Sequence, residues 1–363
     1  MIYLDYQATT PLAPEAREAM LPWLGGPDSE GFANPHSPHR AGRAAAAAIE
    51  VARDAVAALL PPGGQVIFTS GATEALNMAL RGAGSATGAR KLAVSAIEHA
   101  AVLDTARAID PQVALLPVDG EGLVDPEATI PDGTGLVAVM QVNNEIGTVQ
   151  PVAAIAARAR AMGALFLCDA VQGAGKLAAP TGADLIAISA HKLYGPKGIG
   201  ALWIRDGVRV DPLITGGGQE RGLRSGTLSP ALAAGFGAAA KLCTSLRESD
   251  AVHVDKLWTR AHAAFAGWML NGSAVARWHG NLNVRLDGLD AARLLSECRT
   301  VAISAGSACA SGSGRPSHVL RALGLSDREA KTALRIGFGR YTGEEELDEA
   351  VAAILAAAGA QGL

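Results

Sequence analysis

Cysteine is scarce in this chain of 363 residues: Cys168, Cys243, Cys298 and Cys309 are far apart, and no C-x-x-C pair occurs. That spacing excludes a disulfide framework at this length and offers no zinc site, since no paired histidines accompany it. Charge is also thin, at 18% of residues, with a net charge of −4 and no basic run. Nucleic acid and anionic membrane surfaces therefore have no electrostatic partner here. Aromatic residues are only 4%. No apolar stretch approaches bilayer length, and Met1-Ile2-Tyr3-Leu4-Asp5-Tyr6 lacks the basic region and apolar run of a signal peptide. The expectation is a soluble cytoplasmic protein. What is abundant is apolar material, 49% of the chain, enough for a large domain and a smaller one.

The middle of the chain alternates short apolar runs with alanine-rich stretches, the signature of an α/β fold. Strands are predicted at 65–69, 91–95, 135–140, 164–168, 185–188 and 201–204, with helices over 73–81, 100–109 and 151–162. The runs are too uniformly apolar for a sheet with a wet face, so helices should cover both sides. After about Asp250 the pattern shifts to helix, a strand at 282–286, a helix at 290–298 and further α+β material. Residues 13–250 are assigned to a large domain, and 1–12 with 251–363 to a small one.

Several polar residues fall where such strands end. Lys192 closes Ser189-Ala190-His191-Lys192, and Asp169 ends an earlier strand with Gln172 just beyond. A lysine amine can form a Schiff base with an aldehyde, while a buried carboxylate keeps a pyridine nitrogen protonated; together they suit pyridoxal 5'-phosphate. Ser70-Gly71-Ala72-Thr73-Glu74 follows a strand and opens a helix, where free amides and the helix dipole favour a phosphate. Ser189 and His191 can bond the same group. His99 and Asn144 lie past strand ends, the first able to stack on a ring and shuttle a proton. Arg335 suits a bidentate clamp on a carboxylate. Each has a plainer reading alone: a helix cap, a turn residue, a surface lysine or a surface ion pair. Their order along one chain is what points elsewhere. Cys309 sits within Ser304-Ala305-Gly306-Ser307-Ala308-Cys309-Ala310-Ser311-Gly312-Ser313-Gly314, a composition too rich in glycine and serine for core and able to swing. A thiol there, beside a cofactor that activates amino acids, points to sulfur transfer.

The chain resembles the NifS/IscS-type cysteine desulfurases over nearly its whole length. The match runs through Tyr3-Leu4-Asp5-Tyr6-Gln7-Ala8-Thr9-Thr10-Pro11, Asn34-Pro35-His36-Ser37-Pro38-His39, Glu98-His99, Asn143-Asn144-Glu145-Ile146-Gly147, Ser189 to Gly198, Gly216 to Thr227 and Gly306-Ser307-Ala308-Cys309. The resemblance implies a fold-type I pyridoxal-phosphate homodimer that takes sulfur from L-cysteine and leaves L-alanine. It implies Lys192 as the cofactor lysine, Cys309 as persulfide carrier and His99 as the ring-stacking acid/base. Asp169, Gln172 and Asn144 would contact the ring, and Ala72, Thr73, Ser189 and His191 the phosphate. Thr227 would bind the partner subunit's phosphate, and Arg335 the substrate carboxylate. The stretch after Cys309 is similar to the subgroup that supplies iron–sulfur scaffolds. Selenocysteine lysis, transamination by the same fold, and a cofactor-free sulfur relay are the rival readings. Pro38 and the abbreviated, tryptophan-bearing 250–281 segment (Trp258, Trp268, Trp278) depart from the pattern.

Overall fold

In the computed structural model, residues 1–87, 91–306 and 316–363 are described. Seven strands make the main sheet, in the spatial order Gly64–Thr69, Gly200–Arg205, Leu185–Ser189, Leu165–Asp169, Thr134–Ala138, Lys91–Ser95, Ala114–Leu116. Every neighbouring pair is parallel except those made by Gly200–Arg205, which runs against both of its neighbours.

Strand periodicity divides the apolar side chains between two cores. Val66, Phe68, Val137, Phe166, Cys168, Ile186, Ile188, Ala201 and Trp203 enter one cluster. The residues between them, among them Ile67, Leu136, Leu167, Leu185, Ala187, Leu202 and Ile204, enter the other. Both faces are thus dry, as the uninterrupted apolar runs predict. Ala72–Thr87 and Ala100–Ile109 pack on one face, while Arg40–Ala57 and Val152–Ala161 pack on the other.

A second, antiparallel sheet orders Ser304–Ala305, Ala333–Gly337, Asn281–Arg285 and Met269–Leu270. Its own core joins Leu282, Val284, Leu334 and Ile336 to Leu347, Val351 and Ile354 of the helix Glu344–Gly359. Ile2–Tyr3 pairs in parallel with Val301–Ala302, so the N-terminal segment reaches this second body. The pattern change near Asp250 does not mark a break in the backbone. One helix, Pro230–Ala264, runs 35 residues through it, opened by Pro230 and by Ser229, whose side chain accepts the Leu232 N–H. Its early residues (Ala233, Phe236, Ala239, Cys243) join the first core, and Val254, Leu257 and Ala261 join the second.

Candidate active site

A cavity of about 520 Å³ lies beyond the C-terminal ends of the parallel strands, where open α/β sheets place ligands. Ala72, Thr73, His99, Asn144, Asp169, Gln172, Ser189, His191, Lys192 and Arg335 all line it. Thr227 does not: it lies exposed between the turn Glu220–Gly222 and the helix Pro230–Ala264. Cys309 lies outside the described residues.

Local structure aims each group. Strand Leu165–Asp169 ends in Asp169, which is 5% exposed and accepts the Val171 N–H on Oδ1 at 3.0 Å. Burial pushes its carboxyl above the usual range, against the pull of the Val171 amide, His99 and Lys192. Strand Leu185–Ser189 leads into the short helical turn Ala190–Lys192, which swings Lys192 to the cavity wall. Its Nζ donates to the carbonyls of Gln7 (2.7 Å) and Ala8 (2.6 Å). His191 Nδ1 meets Thr9 Oγ1 at 3.1 Å, and burial, followed by the Lys192 charge, pushes its imidazole down to about 4. His191 is therefore neutral at physiological pH.

His99 serves two purposes. Its Nδ1 accepts the Ala101 N–H at 3.1 Å, capping the helix Ala100–Ile109, while the residue lines the cavity. The plainer reading as a helix-start residue and the placement beside the cavity are both correct. Just before it, Glu98 is fully buried; Oε1 accepts from Ser95 Oγ (2.6 Å) and Met140 N (2.7 Å), and Oε2 has no partner. Burial lifts this carboxyl to about 8, with Asp169 adding to the rise.

Strand Gly64–Thr69 leads into the helix Ala72–Thr87, whose first residues Ala72 and Thr73, with Gly71 just before them, face the cavity. The approach of the neighbouring strand is close enough to require glycine. A Cβ on Gly200 would stand 2.7 Å from the Gly71 carbonyl carbon. Glu74 on this helix accepts Arg224 Nε at 2.7 Å and the Ser70 N–H at 2.7 Å, fixing the turn.

Arg335 comes from the other sheet, midway along Ala333–Gly337, and is 1% exposed. Nη2 donates to Asp5 Oδ1 at 2.7 Å and Nη1 to the Asn144 carbonyl at 3.0 Å, while Nε is left without a partner. Gln172 donates Nε2 to the Gln7 carbonyl at 3.0 Å, and its Oε1 is likewise unpartnered.

Gln7, Ala8, Met140 and Lys197 also line this cavity, and reading by residue type gave them no role. For Gln7 and Ala8 the contribution is a backbone carbonyl, which carries no side-chain signal. The only hint was the polar run 5–10 in a segment otherwise read as part of the smaller domain.

The donor set fits pyridoxal phosphate. A buried carboxyl, a lysine amine on the facing wall and a glycine-bearing helix N-terminus surround one space large enough for it. An α/β sheet with these groups past its strand ends is the architecture of the aminotransferase-like pyridoxal-phosphate proteins, and the chain matches the Aminotransferase class-V family over residues 2–350. It belongs to that pyridoxal-phosphate-dependent family, and within it to the IscS-type cysteine desulfurases. The cysteine desulfurase IscS of Rickettsia akari is 44% identical across 96% of this chain and 89% of its own length. A solved NifS-like protein superposes with a TM-score of 0.88 at 32% identity, covering 97% of this chain and 98% of that one. SspA in complex with cysteine gives a TM-score of 0.82 at 34% identity, over 94% and 100%.

Proposed function

We propose that this chain removes sulfur from L-cysteine, leaving L-alanine, and passes the sulfur through Cys309 to an acceptor protein. The observation that carries the reading is the convergence of Lys192, Asp169 and Arg335 from two separate sheets onto one cavity. When bound, pyridoxal phosphate supplies an electron sink for the pair released at the substrate Cα.

The chain's own residues do the rest. Lys192 would hold the cofactor through its amine and would move the proton at the substrate Cα. Asp169 would hold the proton on the pyridine nitrogen, and Gln172 and Asn144 would orient the ring. His99 would cover the ring, and Ala72, Thr73, Ser189 and neutral His191 would hold the phosphate by hydrogen bonding. Arg335, with one N–H still unpaired, takes the substrate carboxylate. The Cys309 thiolate then attacks the substrate sulfur; a new S–S bond forms, the C–S bond breaks with its electron pair on carbon, and that carbon is reprotonated. Thr227 completes the phosphate site of a second copy, which makes the protein a homodimer. The likeness of the stretch after Cys309 to the scaffold-supplying subgroup favours an iron–sulfur scaffold as acceptor, with a tRNA-thiolation protein or a nitrogenase-associated partner as the alternatives. No helix among the described residues is long and apolar enough to cross a membrane, and cytoplasmic location is part of the same reading.

Incubating purified protein with L-cysteine tests this. Equimolar alanine and persulfide sulfur, with neither pyruvate nor transamination products, is expected. Cys309→Ala should keep the cofactor's visible band and lose sulfur delivery; full delivery by that variant would remove Cys309 from the reaction.

A further inference from the structure

The small sheet has one polar face. Leu282, Val284, Leu334 and Ile336 turn to its apolar core, so Asn281, Asn283 and Arg335, which alternate with them, share the opposite side. Arg335 stands directly across the ladder from Asn283. Both asparagines are fully buried. All three side chains aim donors at two consecutive carbonyls of the turn that carries Asn144 to the cavity. The Asn144 carbonyl accepts from Arg335 Nη1 at 3.0 Å and from Asn281 Nδ2 at 3.3 Å. The carbonyl of Glu145, a residue 3% exposed, accepts from Asn281 Nδ2 at 3.1 Å and Asn283 Nδ2 at 2.9 Å. Of the three, Asn281 alone reaches both.

Cohesion of this junction does not depend on that amide. Asn143 shapes the turn from within, its Oδ1 accepting the N–H groups of Glu145 (2.8 Å) and Ile146 (3.0 Å). Backbone bonds tie the turn to the segment before the strand: Trp278 N–H to the Gly147 carbonyl at 2.9 Å, and Val149 N–H to the Ala276 carbonyl at 2.8 Å. The two chains are pressed together, since a Cβ on Gly147 would stand 3.0 Å from the Asn281 Cβ. For packing alone the amide is a poor choice. Asn281 Oδ1 is buried with no hydrogen-bond partner among the described residues, and each carbonyl that Nδ2 meets has another donor. A leucine of the same branched shape would leave no orphan oxygen. What the amide adds is register between the turn and the sheet.

We propose that Asn281 is a positioning residue for substrate recognition: it clamps the turn bearing Asn144 to the sheet bearing Arg335 and so fixes the spacing between ring and carboxylate sites. The proposal rests on the reading of Asn144 as a ring contact and Arg335 as the carboxylate site. A substrate is held at its amine by the cofactor, which the large sheet carries, and at its carboxylate by Arg335 from the small one. Its covalent length is fixed, so the two sheets must present their groups at one separation. The guanidinium is oriented by Asp5 on Nη2 and by the Asn144 carbonyl on Nη1. Asn281 holds that same carbonyl, so losing its amide lets both the turn and the guanidinium drift.

Titrating the visible band of the holoenzyme with two ligands tests this: S-methyl-L-cysteine, whose capped sulfur blocks transfer, and its decarboxylated amine. Asn281→Leu should bind the first about 10-fold more weakly, as expected when one charge-assisted hydrogen bond loses its geometry, and the second as the parent does. Its urea midpoint without cofactor should hold or rise. Asn281→Ala removes the same donor without adding bulk beside Gly147 and should show the same split between the ligands. Parent-like affinity for S-methyl-L-cysteine in both variants would overturn the proposal. So would equal weakening of both ligands, or weakening that tracks a lowered urea midpoint. Arg335→Lys separates this role from the reading beneath it. If that variant loses the preference for the carboxylate ligand while both Asn281 variants keep it, only the positioning role fails. If Arg335→Lys keeps the preference, the carboxylate reading fails first and the proposal with it.

Discussion

The large sheet reaches the cavity through whatever follows its strands, whereas the small sheet reaches it from the middle of one. Asp169, Lys192, His99 and Thr73 sit at a strand end, in a turn or at helix starts, and of the four Asp169 alone stands within a ladder, opposite Ala187. Arg335 is flanked in the ladder by Asn283 and Ser304, is 1% exposed, and is paired with Asp5. Chemistry on the first side is mounted on a finished core, so it can be altered with the core left whole. On the second side one side chain both binds and holds the body together, so stability and activity should fall together there.

Lys192→Ala gives the largest contrast. Loss of about 10³-fold or more in alanine formation is expected, with no borohydride-trapped cofactor and a melting curve close to the parent's. Collapse of the fold in this variant would break the distinction between the two sheets. Arg335→Leu should do both kinds of damage. It strands the Asp5 carboxylate, whose side chain is 18% exposed, at a cost of about 3 kcal/mol in urea unfolding, and raises KM for L-cysteine about 10- to 100-fold. An unchanged unfolding midpoint would show that Arg335 is mounted as loosely as Lys192.

A pH effect comes next. Glu98 ionises near 4.5 when unfolded but only at about 8 when folded. The folded state thus holds a proton that the unfolded chain gives up. Its contribution to stability is full below about pH 4.5 and drains away as pH climbs to about 8. His191, depressed from 6.5 to about 4, works the other way: its contribution is full above pH 6.5 and is lost as pH falls toward 4. Glu98→Gln keeps an acceptor for Ser95 and Met140, so melting temperature should fall less between pH 6 and 9 than in the parent; a parallel fall would exclude Glu98 as its source. Smallest is Ser326→Ala, which removes the capping box it forms with Glu329 at the start of the helix Asp327–Ala330. About 1 kcal/mol of stability should go with kcat unmoved, showing that a loss away from Arg335 is tolerated.

Much of this was legible in the sequence because strand-end chemistry is local. A polar residue just past an apolar run is conspicuous, and Asp169, Ser189, His191 and Lys192 all stand out that way. Arg335 was readable by its charge inside an apolar run, though nothing nearby named Asp5 as its partner 330 residues away. The grip of Gln7 and Ala8 on Lys192 was hidden, being made by carbonyls that every residue owns. Glu98 and Glu145 sat in plain view beside His99 and Asn144. Their burial is set by the packing of Ile97, Ile146, Val319 and Leu320, which no short window contains. The helix Pro230–Ala264 was hidden for a similar reason: its buried face changes from one core to the other near its middle, blurring the period.

That helix also sets a length standard for the molecule. Its 35 residues make a rod of about 52 Å, with Phe236 seated in one core and Leu257 in the other. Deleting a single residue between them would wind Leu257 about 100° around the axis and draw it about 1.5 Å closer. Arg335 and Lys192 would then no longer be registered to each other. Substitutions along the exposed midsection should be absorbed with ease, but changes in the number of residues there should not.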